Sequence, residues 1–203
     1  MVVSDLRLGF GMLSTEYRGS SSTTVTDGDS QITSTSSSSR GRNADDNYRL
    51  QLQYVAGKLG PAGGFIWGIG AAVNRSTWDN GDTKAHATTP LVNLRLGYGY
   101  AFTRQWHFEI TPFAGYGWTF YSVTDDDSSS TNKNSDHYIE YGASVGTFYG
   151  FNNGLVLGLE VPYLVGHFDP KYNYSNNDNN RVRVSDASRN QGFGILGVIG
   201  YRF

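Results

Sequence analysis

The sequence predicts an all-β fold: a closed, antiparallel, up-and-down transmembrane β-barrel of eight strands, with short turns at one end and long loops at the other. Three observations predict it. Eight segments alternate apolar and polar residues, the period at which successive strand side chains face opposite sides. Tight turns and long polar stretches alternate as the connections between them. Aromatic residues gather near both ends of the segments, with aliphatic residues between.

Each segment carries one apolar face. The first presents Leu6, Leu8, Phe10 and Met12, and the second Tyr48, Leu50, Leu52 and Tyr54. The third presents Phe65, Trp67, Ile69, Ala71 and Val73, and the fourth Val92, Leu94, Leu96, Tyr98, Tyr100 and Phe102. Trp106, Phe108, Ile110, Tyr116, Trp118 and Phe120 mark the fifth, and Ile139, Tyr141, Ala143, Val145 and Tyr149 the sixth. The seventh reads Leu155, Leu157, Leu159, Val161, Tyr163 and Val165; the eighth reads Phe193, Ile195, Ile199, Tyr201 and Phe203. All are long enough for the roughly 9–11 residues of a tilted membrane strand. A soluble strand seldom ends on an exposed aromatic such as Phe203, whereas a strand ending at the rim of a bilayer does.

Gly60-Pro61-Ala62-Gly63, Thr103-Arg104-Gln105 and Asn152-Asn153-Gly154 have the chemistry of tight turns, Asn-Gly being the strongest hairpin signal. The other four connections, 18–46, 79–87, 123–136 and 169–188, read as long loops. Within the first, Thr23-Thr24-Val25-Thr26 and Ser30-Gln31-Ile32-Thr33 flank Asp27-Gly28-Asp29 and read as a hairpin. Near the short turns Trp67, Tyr98, Tyr100, Phe102 and Trp106 form one expected aromatic girdle. Trp78 and Trp118, with Tyr17, Tyr48, Tyr116 and Tyr138, form the other near the loops.

Composition narrows the classes. The net charge is −2 over 203 residues, with no basic stripe, so nucleic acid is not an expected partner. Mean hydropathy is −0.42, and no apolar run approaches the roughly 20 residues of a membrane helix. A barrel escapes that objection because only alternate residues meet lipid. Cysteine is absent, so neither disulfides nor thiolate metal sites arise. No secretory leader is visible at Met1-Val2-Val3, and the chain reads as a mature form.

This pattern, closing on Tyr201-Arg202-Phe203, resembles the small eight-stranded outer-membrane barrels, the group of the OmpA transmembrane domain and OmpX. The resemblance covers residues 1–203 and implies one porin-like barrel domain in the outer membrane of a Gram-negative bacterium, both termini in the periplasm. It implies surroundings of outer-membrane lipid and lipopolysaccharide, and an assembly machinery that reads Tyr201 and Phe203. The chain departs from the group's pattern at Val198, where glycine is usual; Gly197 stands one place off.

The opposite, inward face carries Arg7, Arg49, Arg95, Glu109, Glu140 and Glu160, beside Gln51, Gln53, Asn93 and His107. An eight-stranded barrel is just wide enough for side chains to fill. Buried charges must be paired, and three Arg balance three Glu. The expectation is a lumen plugged by an ion-pair network, aided by inward Phe113, Phe148 and Leu164. A gated narrow pore for ions or small solutes is the alternative.

Catalytic and metal signatures are sparse. Ser135-Asp136-His137 and His167-Phe168-Asp169 bring His137 and His167 near each other at the loop rim, an arrangement open to metal binding or acid–base work on lipid A. The plainer reading is a wet rim with no metal and no catalytic residue. Asp125-Asp126-Asp127 and Asn176-Asn177-Asp178 suit calcium but equally suit solvation. No cofactor is expected. The function expected is non-enzymatic: a structural or surface-interaction role through the external loops, with a possible protein partner there.

Overall fold

Backbone pairing closes the chain on itself. The computed structural model describes residues 1–27, 30–36, 42–60, 62–79, 83–125, 131–168, 171–175 and 181–203. Their strands are β1 (Val2–Asp27), β2 (Ser30–Ser36), β3 (Arg42–Asn43), β4 (Asp46–Lys58), β5 (Gly64–Asp79) and β6 (Thr83–Ala101). They continue as β7 (Trp106–Asp125), β8 (Thr131–Gly150), β9 (Leu155–Phe168), β10 (Lys171–Ser175) and β11 (Arg181–Arg202). Each of β1, β4, β5, β6, β7, β8, β9 and β11 pairs antiparallel with the next, and β11 returns to β1. That is an eight-stranded closed barrel with no free edge in the wall.

The turn residues explain the short end. Gly63 and Gly154 take positive φ of 88° and 87°, which a side chain disfavours. Asn153 Oδ1 accepts the Leu155 N–H at 3.1 Å. Thr103 Oγ1 accepts the N–H groups of Gln105 and Trp106, at 3.2 and 2.9 Å, so the side chain replaces a backbone partner.

At the other end the strands overrun the loops expected from sequence. β1 continues to Asp27 and turns into β2, with Val25 opposite Ile32 and Asp27 opposite Ser30. The segments 83–87, 123–125 and 131–136 belong to β6, β7 and β8, and 181–188 belongs to β11. Ser/Thr-rich stretches look like loops because they carry no apolar alternation. Pairing needs only the backbone, which hairpin neighbours supply.

The wall is inside-out by soluble standards. Leu6, Leu8, Phe10, Leu52, Ile69, Leu94, Ile110, Leu157 and Ile199 are all exposed, Leu94 at 63%. Arg7, Arg49, Gln51, Gln53, Glu109, Glu140 and Glu160 are buried. An exposed apolar surface far exceeding that of a soluble monomer belongs against hydrocarbon. The expected girdle members Trp67, Tyr98, Tyr100, Phe102, Trp106 and Trp118 are exposed on the outer face. Trp78 is not: it falls on the inward parity of β5, half-buried, edge-on to Tyr17 at 4.9 Å. Tyr138 shares Glu140's parity and is buried at 1% exposure, stacked among lumen groups instead of standing in the outer belt.

Candidate functional site: the lumen

The lumen is built in layers. At the short-turn mouth, Val3, Val55, Leu59 and Ile66 form an apolar floor, fastened where Leu59 and Met1 exchange backbone hydrogen bonds. Above it lies the first charged layer. Arg7 of β1 binds Glu109 of β7 bidentately, Nη1 to Oε2 at 2.8 Å and Nη2 to Oε1 at 2.7 Å. His107 Nε2 joins Glu109 Oε1 at 2.9 Å. The Arg7 guanidinium lies 3.8 Å from the Phe148 ring centroid, a cation–π contact strengthened by exclusion of water.

Asp5 completes this layer and escapes the sequence reading. It accepts Arg7 Nη2 at 2.9 Å, and Arg202 Nε and Nη2 at 2.6 and 2.9 Å. Asp5 therefore links β1 to the last strand. The signal was available: Asp5 stands two residues before Arg7, hence on the same face.

The second layer centres on Glu160 of β9. Arg95 Nη1 of β6 donates to Glu160 Oε1 at 2.5 Å, while Gln51 and Gln53 of β4 donate to Oε2 at 3.0 and 3.2 Å. Arg95 Nη2 donates to Gln51 Oε1 at 3.1 Å, closing a ring of polar contacts. Leu13, Phe113 and Leu164 pack as an apolar cluster of their own.

In the third layer Arg49 of β4 meets Glu140 of β8. Nη2 donates to Oε1 at 2.8 Å and Nη1 to Oε2 at 3.1 Å. Asn74 accepts from Arg49 Nη1 at 3.0 Å, and the Tyr138 hydroxyl donates to Glu140 Oε2 at 3.2 Å. Toward the loops, Tyr138, Phe168, Leu91 and Ala72 pack together with Tyr17 and Tyr121.

Two rules emerge. The three Arg–Glu pairs cross the lumen between strands that are not neighbours in the wall, β1 to β7, β4 to β8 and β6 to β9, while Asp5 ties β1 to its neighbour β11. The layers also balance, with Asp5, Glu109, Glu140 and Glu160 set against Arg7, Arg49, Arg95 and Arg202. Such spokes fix two guanidiniums in bidentate geometry and satisfy the remaining oxygens with amides and a phenol, the condition for tolerating buried charge.

The rim histidines do not assemble. His137 Nδ1 lies 2.7 Å from the Tyr116 hydroxyl, and His167 Nε2 lies 3.2 Å from that of Tyr141. In the register His167 faces Ile139, two residues from His137. No group of three metal-ligating side chains forms among the described residues. Asp126, Asp127, Asp169, Asn176, Asn177 and Asp178 lie outside the described residues. Tyr201 and Phe203 stand exposed at the short-turn rim with ring centroids 5.3 Å apart, and the Phe203 N–H donates to Ser4 O at 2.9 Å.

No family model matches the sequence, and no curated protein does. Among solved structures the chain is similar to Ail, the attachment invasion locus protein of Yersinia pestis, in complex with the heparin analogue sucrose octasulfate. Identity is 14%, covering 96% of this chain and 99% of that one, with a TM-score of 0.35. OprG from Pseudomonas aeruginosa matches at 15% identity, covering 96% of both chains, with a TM-score of 0.35. Neisserial surface protein A matches at 10%, covering 89% and 96%, with a TM-score of 0.28. Similarity at this level assigns neither family nor activity.

Proposed function

We propose that this chain is an integral protein of the bacterial outer membrane that acts by contact and not by catalysis or transport. The observation that carries the reading is the combination of an apolar outer wall with a lumen crossed by three ion pairs. A wall of this kind requires a bilayer, and closed antiparallel barrels are the strand architecture bilayers accept. A lumen spanned by paired charges and floored by Val3, Val55, Leu59 and Ile66 leaves the interior to stability. Activity then falls to the strand extensions beyond the membrane, β2 and the upper parts of β1, β6, β7, β8 and β11.

In this reading both termini and the three short turns face the periplasm, and the extensions face outward. Residues 1–203 form one barrel domain. Tyr201 and Phe203 are the signal taken by the assembly machinery, and outer-membrane lipid and lipopolysaccharide surround the wall. The extensions meet a partner at the cell surface, with no cofactor involved. Separate tyrosines hold His137 and His167, which weighs against a lipid A-modifying site.

The test is in-cell crosslinking, comparing the full chain with a variant whose β1–β2 hairpin is trimmed between Ser22 and Thr35, together with planar-bilayer recordings on purified protein. Crosslinks lost on trimming, with no conductance, support the reading. Identical crosslinks in both, or stable ohmic conductance of the full chain, overturn it.

A further inference from the structure

We infer that the outer wall carries a binding site for the phosphate group of an anionic lipid in the leaflet at the loop end, formed by Arg18, Arg189 and His167. The inference rests on the membrane placement proposed above, and names a specific lipid contact within it.

Three strands bring these residues into one row. Arg18 of β1 is directly opposite Arg189 of β11, and Arg189 is directly opposite His167 of β9. All three share the outward parity of their strands: Arg18 with Phe10 and Met12, Arg189 with Phe193 and Ile195, His167 with Leu157 and Tyr163. All three are exposed. They therefore look toward lipid and not into the lumen.

Their height fits a headgroup. On β9 and β11 the row stands four residues beyond the Tyr163–Phe193 ring pair, whose centroids are 4.7 Å apart. Glu16 and Gln191 follow as opposed residues, and the row comes two residues further on. Four residues on a tilted strand rise about 10 Å along the barrel axis. That carries Arg189 and His167 above this ring pair, toward the level of the headgroups.

Electrostatics calls for an anion there. Like charges directly opposite on one face destabilise a strand pair, and Arg18 and Arg189 are such a pair. The carboxylate on hand is Glu16, which takes Arg18 Nη2 at 2.9 Å. Among the described residues no carboxylate bridges Arg18 to Arg189. A phosphate oxygen set between the guanidiniums relieves their repulsion and accepts from both. His167 is held in place beside them, its ring stacked on Tyr141 at 5.7 Å and its Nε2 engaged by the Tyr141 hydroxyl. A tethered imidazole at one end and two planar guanidiniums beside it suit a tetrahedral anion.

The test uses purified protein in detergent and native mass spectrometry. Bis-phosphorylated lipid A is offered alongside the same lipid with its phosphates removed, and inorganic phosphate alone is offered separately. The full chain is expected to retain the phosphorylated lipid preferentially. Arg18→Gln with Arg189→Gln should weaken retention roughly tenfold, the loss of about one net charge-assisted contact. Arg75→Gln, outward on β5 across the barrel, should leave it unchanged. Equal retention of the dephosphorylated lipid, wild-type retention by the double variant, or inorganic phosphate held as tightly as the lipid would each overturn the site. Because the readout involves no loop partner, its failure stands apart from that of the surface-contact reading. A chain that does not enter vesicles at all would count against the membrane placement instead.

Discussion

Removing the Glu140 carboxylate should unlock the third layer of the lumen. Glu140 is 0% exposed and Arg49 1% exposed. In Glu140→Ala, Arg49 Nη2 loses its acceptor, while Nε keeps Gln51 at 3.1 Å and Nη1 keeps Asn74 at 3.0 Å. The Tyr138 hydroxyl loses Glu140 Oε2 as well. An uncompensated buried charge of this kind costs about 3–5 kcal/mol. Arg49→Leu in the same chain removes the orphan and should return part of that loss, giving a coupling energy of about 0.5–3 kcal/mol. The assay is urea unfolding of protein reconstituted in lipid vesicles, followed by tryptophan fluorescence and extrapolated linearly to water. Single variants within about 0.5 kcal/mol of wild type, with strict additivity in the double, would refute the reasoning. They would mean that the pair sits in water and is not shielded by the wall.

Other consequences are as direct. Leu94→Arg or Leu157→Arg on the outer wall should destabilise the inserted barrel by about 2–4 kcal/mol, against less for Asn93→Ser on the inner face, as read by the same unfolding assay; equal cost at both parities would reverse the assigned faces. Deleting Phe203 should leave detergent refolding largely intact but deplete the protein from outer-membrane fractions, measured by fractionation and immunoblot. Gly166→Val should cost about 1–3 kcal/mol, since a Cβ there would collide with the Tyr138 hydroxyl oxygen, and thermal unfolding would register it.

Strand parity was the legible part of this sequence. A period of two sorts Leu94 from Arg95 and Ile139 from Glu140 without any knowledge of the fold, because lipid and lumen impose opposite chemistry on adjacent residues. Turn chemistry was equally legible at Asn153-Gly154. Which Arg faces which Glu was not, since that depends on the stagger of the closed wall, a property no single segment encodes. Tyr138 and Trp78 were misplaced for a different reason: their position near strand ends suggested an interfacial belt, while their parity, shared with Glu140 and Ser76, already pointed inward. The overrun of β1, β6, β7, β8 and β11 into polar sequence was hidden because those stretches carry no apolar alternation.

The seam between β1 and β11 is the longest in the wall, running from Asp5 opposite Arg202 to Thr26 opposite Arg181. It joins the first strand to the last, so the cylinder stays open until β11 is in place. Until then β1 and β9 each present a bare backbone edge, the form of sheet most prone to pair with a stranger. Contacts so distant in sequence also form slowly. Asp5, bonded at once to Arg7 and Arg202, stands at the foot of that seam. It acts as a latch across the closing seam, so its removal should be felt in the rate of closure as well as in the final stability.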